Sequence, residues 1–297
     1  MIHIDQIISL INPQRSIIHN SISIANAIQL DGSNERDDVI MWSSSKNYKT
    51  ISSVNKGTII CPFINDEDIN PNCNYIITSS PRNAFRLVLE HFFAPQKVYS
   101  VSKSAIIDPS VQLNDQVFVG ENVVIESNCE IGVDVVIGHN TVILSNTIIH
   151  NHVIIGSNNV IGGVGFGYEK DENGQYVFIP HIGNVIIEDY VEIGNCTTID
   201  RAVMGSTILR KNVKVDNLVH IAHGVDIGEN SLIIANAMVG GSTKIGKNVW
   251  VAPSSSLINK IEVEDDAVIG MGAVVVKSVQ SGNVMVGNPA KPLEKKG

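Results

Sequence analysis

The sequence predicts a mainly β protein, a parallel β-helix of six-residue repeats preceded by a small α/β unit. Three observations carry this. Every sixth residue from Ile107 to Ile161 is Ile, Leu or Val, ten positions in succession, and eleven positions from Leu209 to Ile269 repeat the pattern. Were each position aliphatic about a third of the time, chance would give this on the order of once in 10¹⁰. Four residues after each aliphatic the residue is mostly small or β-branched, as at Val117, Val123, Cys129, Thr141, Ser231, Ala237 and Thr243. Gly with Asn or Asp follows again and again, in IGEN, IGVD, IGHN, IGSN and IGKN.

A helix repeats every 3.6 residues and a strand every two, so neither yields a strict six. Short strands joined by tight corners do, with the aliphatic stacked inside, the small residue near a corner and Gly or Asn turning the chain. The phase breaks twice. Ile161 to Ile187 is 26 residues, two more than four hexads, and Ile199 to Leu209 is ten. An insertion in a solenoid leaves as a loop on one face, often the binding face.

Residues 1–100 lack the period. Strands are expected at 21–27, 39–42, 58–61 and 75–78, separated by Asp-Gly and Asn-rich turns. One helix is expected from Pro81, with Ser80 as N-cap and Phe85, Leu89 and Phe92 on one face. The expected organisation is an α/β unit over 1–100, which on its own reads as a cap for the open solenoid end, then a β-helix over 101–280 with a loop insertion at 162–186, and a tail over 281–297.

Composition agrees. The 297 residues are 43% hydrophobic but only 5% aromatic, with 24 glycines, which suits thin layers of Ile and Val better than a core built on rings. A net charge of −9 with no Lys/Arg cluster argues against a nucleic-acid partner. The start lacks a signal-peptide pattern, and no run approaches the roughly 18 apolar residues of a membrane span. Four cysteines show no metal-binding spacing. A cytoplasmic chain without a metal is expected.

The hexads resemble those of the left-handed parallel β-helix acyltransferases. That resemblance implies three hexads per triangular coil, stacking of residues eighteen apart, a left hand, and homotrimers with active sites between neighbours. A closer resemblance runs from residue 1 to about 280. The segments DDVIMWSSSKNYKTI, SSPRNAFRLVLEHFF, GGVGFGYEKDENGQYVFIPHIGNV, NCTTIDRAVMGSTIL, VKVDNLVHIAHGVDIG and GGSTKIG are similar to the LpxD family of lipid A N-acyltransferases.

Read from the register alone, His223 is third in its hexad, between inward Ile221 and Val225, and projects from the coil. An imidazole with a pKa near ~6.5 suits removing a proton from an attacking amine; a solvated surface histidine is the alternative. The resemblance implies the first, since His223 is the histidine of the family's IAHN segment, with Gly224 replacing Asn. It also implies that Asp216 is the acidic partner that orients the ring. Gly241 stacks one coil along, where its N–H is a candidate donor to the thioester oxyanion or simply part of a tight corner. Trp42 and Tyr48 match in spacing two family aromatics that sandwich uracil, and the resemblance thereby makes residues 1–100 a nucleotide-binding domain; a core role for Trp42 is the alternative. Ser45 stands where the family often has an Asn near the diphosphate. Lys260 aligns with a family histidine near the nucleotide phosphates and keeps a cation there.

The ending VMVGNPAK resembles the last coil of coenzyme-A-dependent sugar acetyltransferases, and the helical segment with which the LpxD family recruits acyl carrier protein does not follow it. This implies acyl-CoA as donor, Gly272 and Ala273 along the pantetheine arm and Lys291 on a phosphate; otherwise these residues only close the solenoid. The first expectation is therefore a CoA-dependent N-acyltransferase acting on a dTDP- or UDP-linked amino-deoxy sugar for O-antigen or other surface polysaccharide. The second is the LpxD reaction itself, on a UDP-linked acylglucosamine. The third is a non-catalytic scaffold that binds nucleotide sugars.

Overall fold

The computed structural model describes residues 1–293. Part of the expected tail, residues 294–297, lies outside the described residues. The chain forms one compact unit over 1–97 and a second that begins at Val98.

The second unit is the expected parallel β-helix. Short strands stack into three faces of eleven, nine and seven strands among the described residues. On the first face Val117 pairs with Val135, on the second Val124 with Val142, and on the third Glu130 with Ile148, each eighteen residues on. The aliphatic series fills the interior: Ile137, Ile143, Ile155, Ile161, Leu209, Ile221, Ile227 and Ile233 are fully buried. Each such side chain contributes about 1.5–3 kcal/mol relative to exposure.

The small residues four places on lie inside the corners, where their hydroxyls satisfy carbonyls of the next coil. Thr141 donates to Gly156 at 2.8 Å, Ser231 to Gly246 at 2.8 Å and Thr243 to Ile258 at 3.0 Å. The corners themselves are left-handed. Asn122, Asn128, Asn140 and Asn146 have φ between 55° and 62°, a conformation Asn tolerates better than branched residues.

Strand pairing corrects the reading of the two phase breaks. Ile149 pairs with Ile187, 38 residues on, and Ile187 with Leu209, 22 on. Each break is thus a single step from second to third face, carrying about twenty and four extra residues, not several further hexads. Both surpluses leave the solenoid at the same edge. The longer one forms a hairpin in which Tyr168–Lys170 runs antiparallel to Tyr176–Phe178.

The first unit holds a five-stranded sheet in the order Arg15–Ile17, Cys73–Ile77, Gly57–Cys61, Val39–Trp42, Asn26–Ala27, antiparallel only at its first pair. One face carries Ile40, Ile60 and Ile76 against helices α1 (Ile4–Ile11) and α3 (Pro81–Val88), whose Ile7, Ala84 and Val88 are buried there; the other carries Met41, Ile59 and Tyr75 with Ile51 of the short α2 (Tyr48–Ser52). Pro81 starts α3, but the Ser80 side chain makes no cap bond. α1 was not expected, because its cap is unusual: His3 accepts from Asp5 N–H while the Gln6 side chain accepts from His3 N–H. No described helix is long and apolar enough to cross a membrane.

Candidate active site

The site builds up along one edge of the β-helix, where the second face turns into the third. Strand His220–Ile221 leaves the second face with Ile221 buried, and the next corner carries the half-buried His223 before Val225 returns to the core. Gly224 takes φ +69°, the left-handed corner that Asn occupies elsewhere, so its replacement of the family's Asn leaves the turn unchanged. Thr207, one coil earlier, accepts from Gly224 N–H at 2.8 Å and fixes the corner.

One coil later, Gly241 lies directly against the His223 ring. A Cβ on Gly241 would stand 2.7 Å from His223 Nε2 and 2.8 Å from Cε1. Gly241 is not among the residues with positive φ; its neighbour Ser242, at 57°, turns the corner. The glycine is therefore required by the approach of the imidazole. Ser242 N–H donates to the His223 carbonyl at 2.8 Å, and Lys260 N–H to the Gly241 carbonyl at 2.9 Å, so three successive corners are locked in line.

Two groups that sequence reasoning missed complete the edge. The twenty-residue insertion folds back so that Gly165 abuts the Cβ of His223, and it brings His181 edge-on to the His223 ring with centroids 5.3 Å apart. Beside them Asp200 is largely buried, with His220 Nε2 3.8 Å away. His220 Nδ1 lies 2.8 Å from Thr198 Oγ1. Arg201 donates to the Gly162 carbonyl at 2.7 Å and the Ser145 carbonyl at 3.1 Å, anchoring the root of the insertion. The signal for His181 was its place in the inserted IPHIGNV stretch, but without a period nothing in the sequence says where it folds.

Burial first, then the electrostatic influence of the neighbouring His181 ring and the Lys260 ammonium, hold the His223 imidazole below its ordinary value of 6.5. It is thus neutral, and able to accept a proton, further into the acid range than a free histidine. Burial raises the Asp200 carboxyl, a rise the nearby His220 and His181 partly offset.

Other expected site residues fall elsewhere. Asp216 stands at the preceding edge, between first and second faces. Its carboxylate accepts from Asn217 N–H at 2.8 Å, Asn217 Nδ2 at 2.9 Å and Ala235 N–H at 3.2 Å, so within the chain it braces corners and does not orient His223. Gly272, with φ +65°, turns the same edge as Asp216, and the Ala273 side chain is fully buried in the solenoid core. Lys291 is exposed on Lys291–Pro292, which pairs antiparallel with Val284–Val286 and borders a cavity of about 470 Å³.

Trp42 and Tyr48 do not face each other as a preformed clamp. Trp42 packs on the helix-covered face of its sheet, its ring 6.5 Å from Phe85. Tyr48 packs with the opposite face, stacked on Phe63 at 5.0 Å, and its hydroxyl donates to Asp68 at 2.5 Å.

Comparison with known proteins sets this edge in context. The UDP-3-O-acylglucosamine N-acyltransferase of Campylobacter lari is 46% identical over 255 residues, covering 82% of this chain and 80% of that protein. The enzyme of the same name from Campylobacter concisus is 44% identical over 252 residues with the same coverage. The chain belongs to the UDP-3-O-acylglucosamine N-acyltransferase family. Among solved structures, the UDP-N-acetylglucosamine acyltransferase of Francisella novicida matches with a TM-score of 0.60 at 21% identity, over 65% of this chain and 70% of that one. The Campylobacter jejuni enzyme gives 0.57 at 21%, over 65% and 74%. These likenesses show the fold, a left-handed parallel β-helix. No family profile matches the chain. Membership of this N-acyltransferase family favours the second acceptor reading over a dTDP-sugar of O-antigen.

Proposed function

We propose that this protein transfers an acyl group from a thioester to the amine of UDP-3-O-acylglucosamine, with His223 as general base. The close approach of Gly241 to His223 Nε2 supports the reading, because it brings a proton acceptor and a residue with a backbone N–H together on adjacent coils. No acceptor for the Gly241 N–H is found among the described residues. The amine attacks the thioester carbonyl as His223 takes its proton. The C–N bond forms, the carbonyl oxygen becomes an oxyanion within reach of Gly241 N–H, and the C–S bond breaks as the proton passes to the departing thiolate. The lowered pKa of His223 supports this role, since the ring must be neutral to start.

Lys260 is a candidate phosphate contact at the same edge. Trp42, only partly buried at the C-terminal end of its strand, is the candidate platform for the base, and binding would have to draw Tyr48 away from Phe63 for it to join. Trimerisation would give the exposed edge a second wall; light scattering tests it, and a monomer would remove it.

The deciding assay incubates the protein with UDP-3-O-acylglucosamine and either acyl carrier protein thioesters or acyl-CoA, reading the product mass. Gain of one acyl group, slowed by about 10²–10⁴-fold in His223→Ala, is expected. No product with either donor overturns the reading, and the donor that works settles the carrier. Activity with acyl-CoA alone would favour the coenzyme reading drawn from the VMVGNPAK ending.

A further inference from the structure

The insertion carries a group that this chemistry leaves unused. His181 is 8% exposed, and among the described residues its Nε2 is the buried side-chain nitrogen or oxygen that lacks a hydrogen-bond partner. Its Nδ1 donates to the Ile179 carbonyl at 2.8 Å. That bond keeps the proton on Nδ1, so in the neutral ring Nε2 presents a lone pair. The ring is held between Phe178, stacked at 5.5 Å, and His223, edge-on at 5.3 Å. Gly165 and Gly167 back it closely; a Cβ on either would fall 2.9 Å from Nε2 and 2.8 Å from Cε1 respectively.

Buried acceptors are almost always paired. This unpaired one lies against the proposed base and belongs to a loop, not to the repeating core. Its chemistry also selects between the two substrates. The carbonyl oxygen and sulfur at the thioester's reacting carbon are both acceptors, whereas the amino sugar presents amine and hydroxyl hydrogens at its reacting end. We propose that His181 Nε2 accepts a hydrogen bond from a hydroxyl or amine of the acceptor sugar and holds the sugar beside His223. The proposal rests on the acyl-transfer reading above and adds a sugar-binding residue to it.

Two substitutions and one structure test it. His181→Phe keeps the contacts to Phe178 and His223 but removes the nitrogens; His181→Gln restores an acceptor. Calorimetry with UDP-3-O-acylglucosamine is expected to show affinity falling about tenfold or more in H181F and largely recovered in H181Q, with KM for the acyl thioester and the melting temperature unchanged. Equal affinity in H181F and wild type overturns the proposal. So does a loss shared equally by sugar and thioester, or an H181Q no better than H181F, either of which would make His181 a loop-packing residue. Should H181F fail to fold, a crystal structure of the wild type with bound UDP-3-O-acylglucosamine decides: a sugar O–H or N–H on Nε2 supports the proposal, and an ordered water there overturns it. A wild type that binds the sugar nucleotide but transfers nothing overturns the acyl-transfer reading and leaves the His181 comparison valid. One that binds none overturns both.

Discussion

His223 rests on Gly241. The imidazole of one coil covers the α-carbon of the next so closely that a methyl group there would stand 2.7 Å from Nε2. Because Gly241 does not need a left-handed backbone, Gly241→Ala is expected to fold normally while pushing the ring aside. Displacement of a reacting group by about 1 Å costs roughly 10²-fold in rate. Kinetics and a melting curve on the same sample check this, and an alanine variant with full kcat would sink it.

Removal of the base itself is expected to cost more. His223→Ala loses a general base, an effect of about 10²–10⁴-fold in kcat. KM for the sugar nucleotide should change little, since His223 acts on the amine in the transition state. A variant that keeps turnover and loses only affinity would make His223 a binding residue.

The pH profile follows from the charges around His223. Burial first, then His181 and Lys260, lower its pKa, so protonation and the loss of kcat/KM set in below pH 6.5. Lys260→Met removes one positive neighbour, which eases protonation and moves the acid limb to higher pH. A limb that stays fixed or moves down would show that Lys260 is not felt at the ring.

Asp216 is expected to matter for folding. Its carboxylate accepts three N–H groups at a corner of the other edge. Asp216→Ala should lower stability by about 0.5–1.5 kcal/mol, the worth of an ordinary hydrogen bond, since its donors are only part-buried. The acid limb of the rate profile should stay in place. Denaturant titration and a pH series on the same variant separate the two.

In the first unit the two aromatics are expected to part company. Trp42→Ala should weaken nucleotide binding by about 1–3 kcal/mol, the worth of a stacked base. Tyr48→Phe breaks the hydroxyl bond to Asp68 but keeps the ring, so it should cost about 0.5–1.5 kcal/mol of stability and little affinity. Calorimetry with UDP and thermal melting distinguish them.

The coils were legible because each repeats the packing of the one before, so the six-residue period reports the interior directly. The same count places Gly241 on His223, since no break falls between them. It also held a signal that went unused: Ala273 is four residues after Ile269, as Ala237 is after Ile233, and both point inward. Asp216 lies on another edge of its own chain because seven residues is no multiple of the coil. His181 was out of reach for a different reason. It lies in a stretch with no period, and only the returning hairpin brings it to His223. Whether Trp42 and Tyr48 share a face depended on the short turn and α2 between them, which alternation along a strand does not describe.

The 38-residue coil has a consequence for how such enzymes change. Its surplus leaves and rejoins at one edge, and Ile149 still pairs with Ile187 as though nothing intervened. The segment that reaches His223 can therefore be exchanged, shortened or rewritten while the aliphatic stack stays intact. Selection on the preferred sugar and selection for foldability then act on separate stretches of the gene, and a hairpin transplanted from a relative should carry its preference with it.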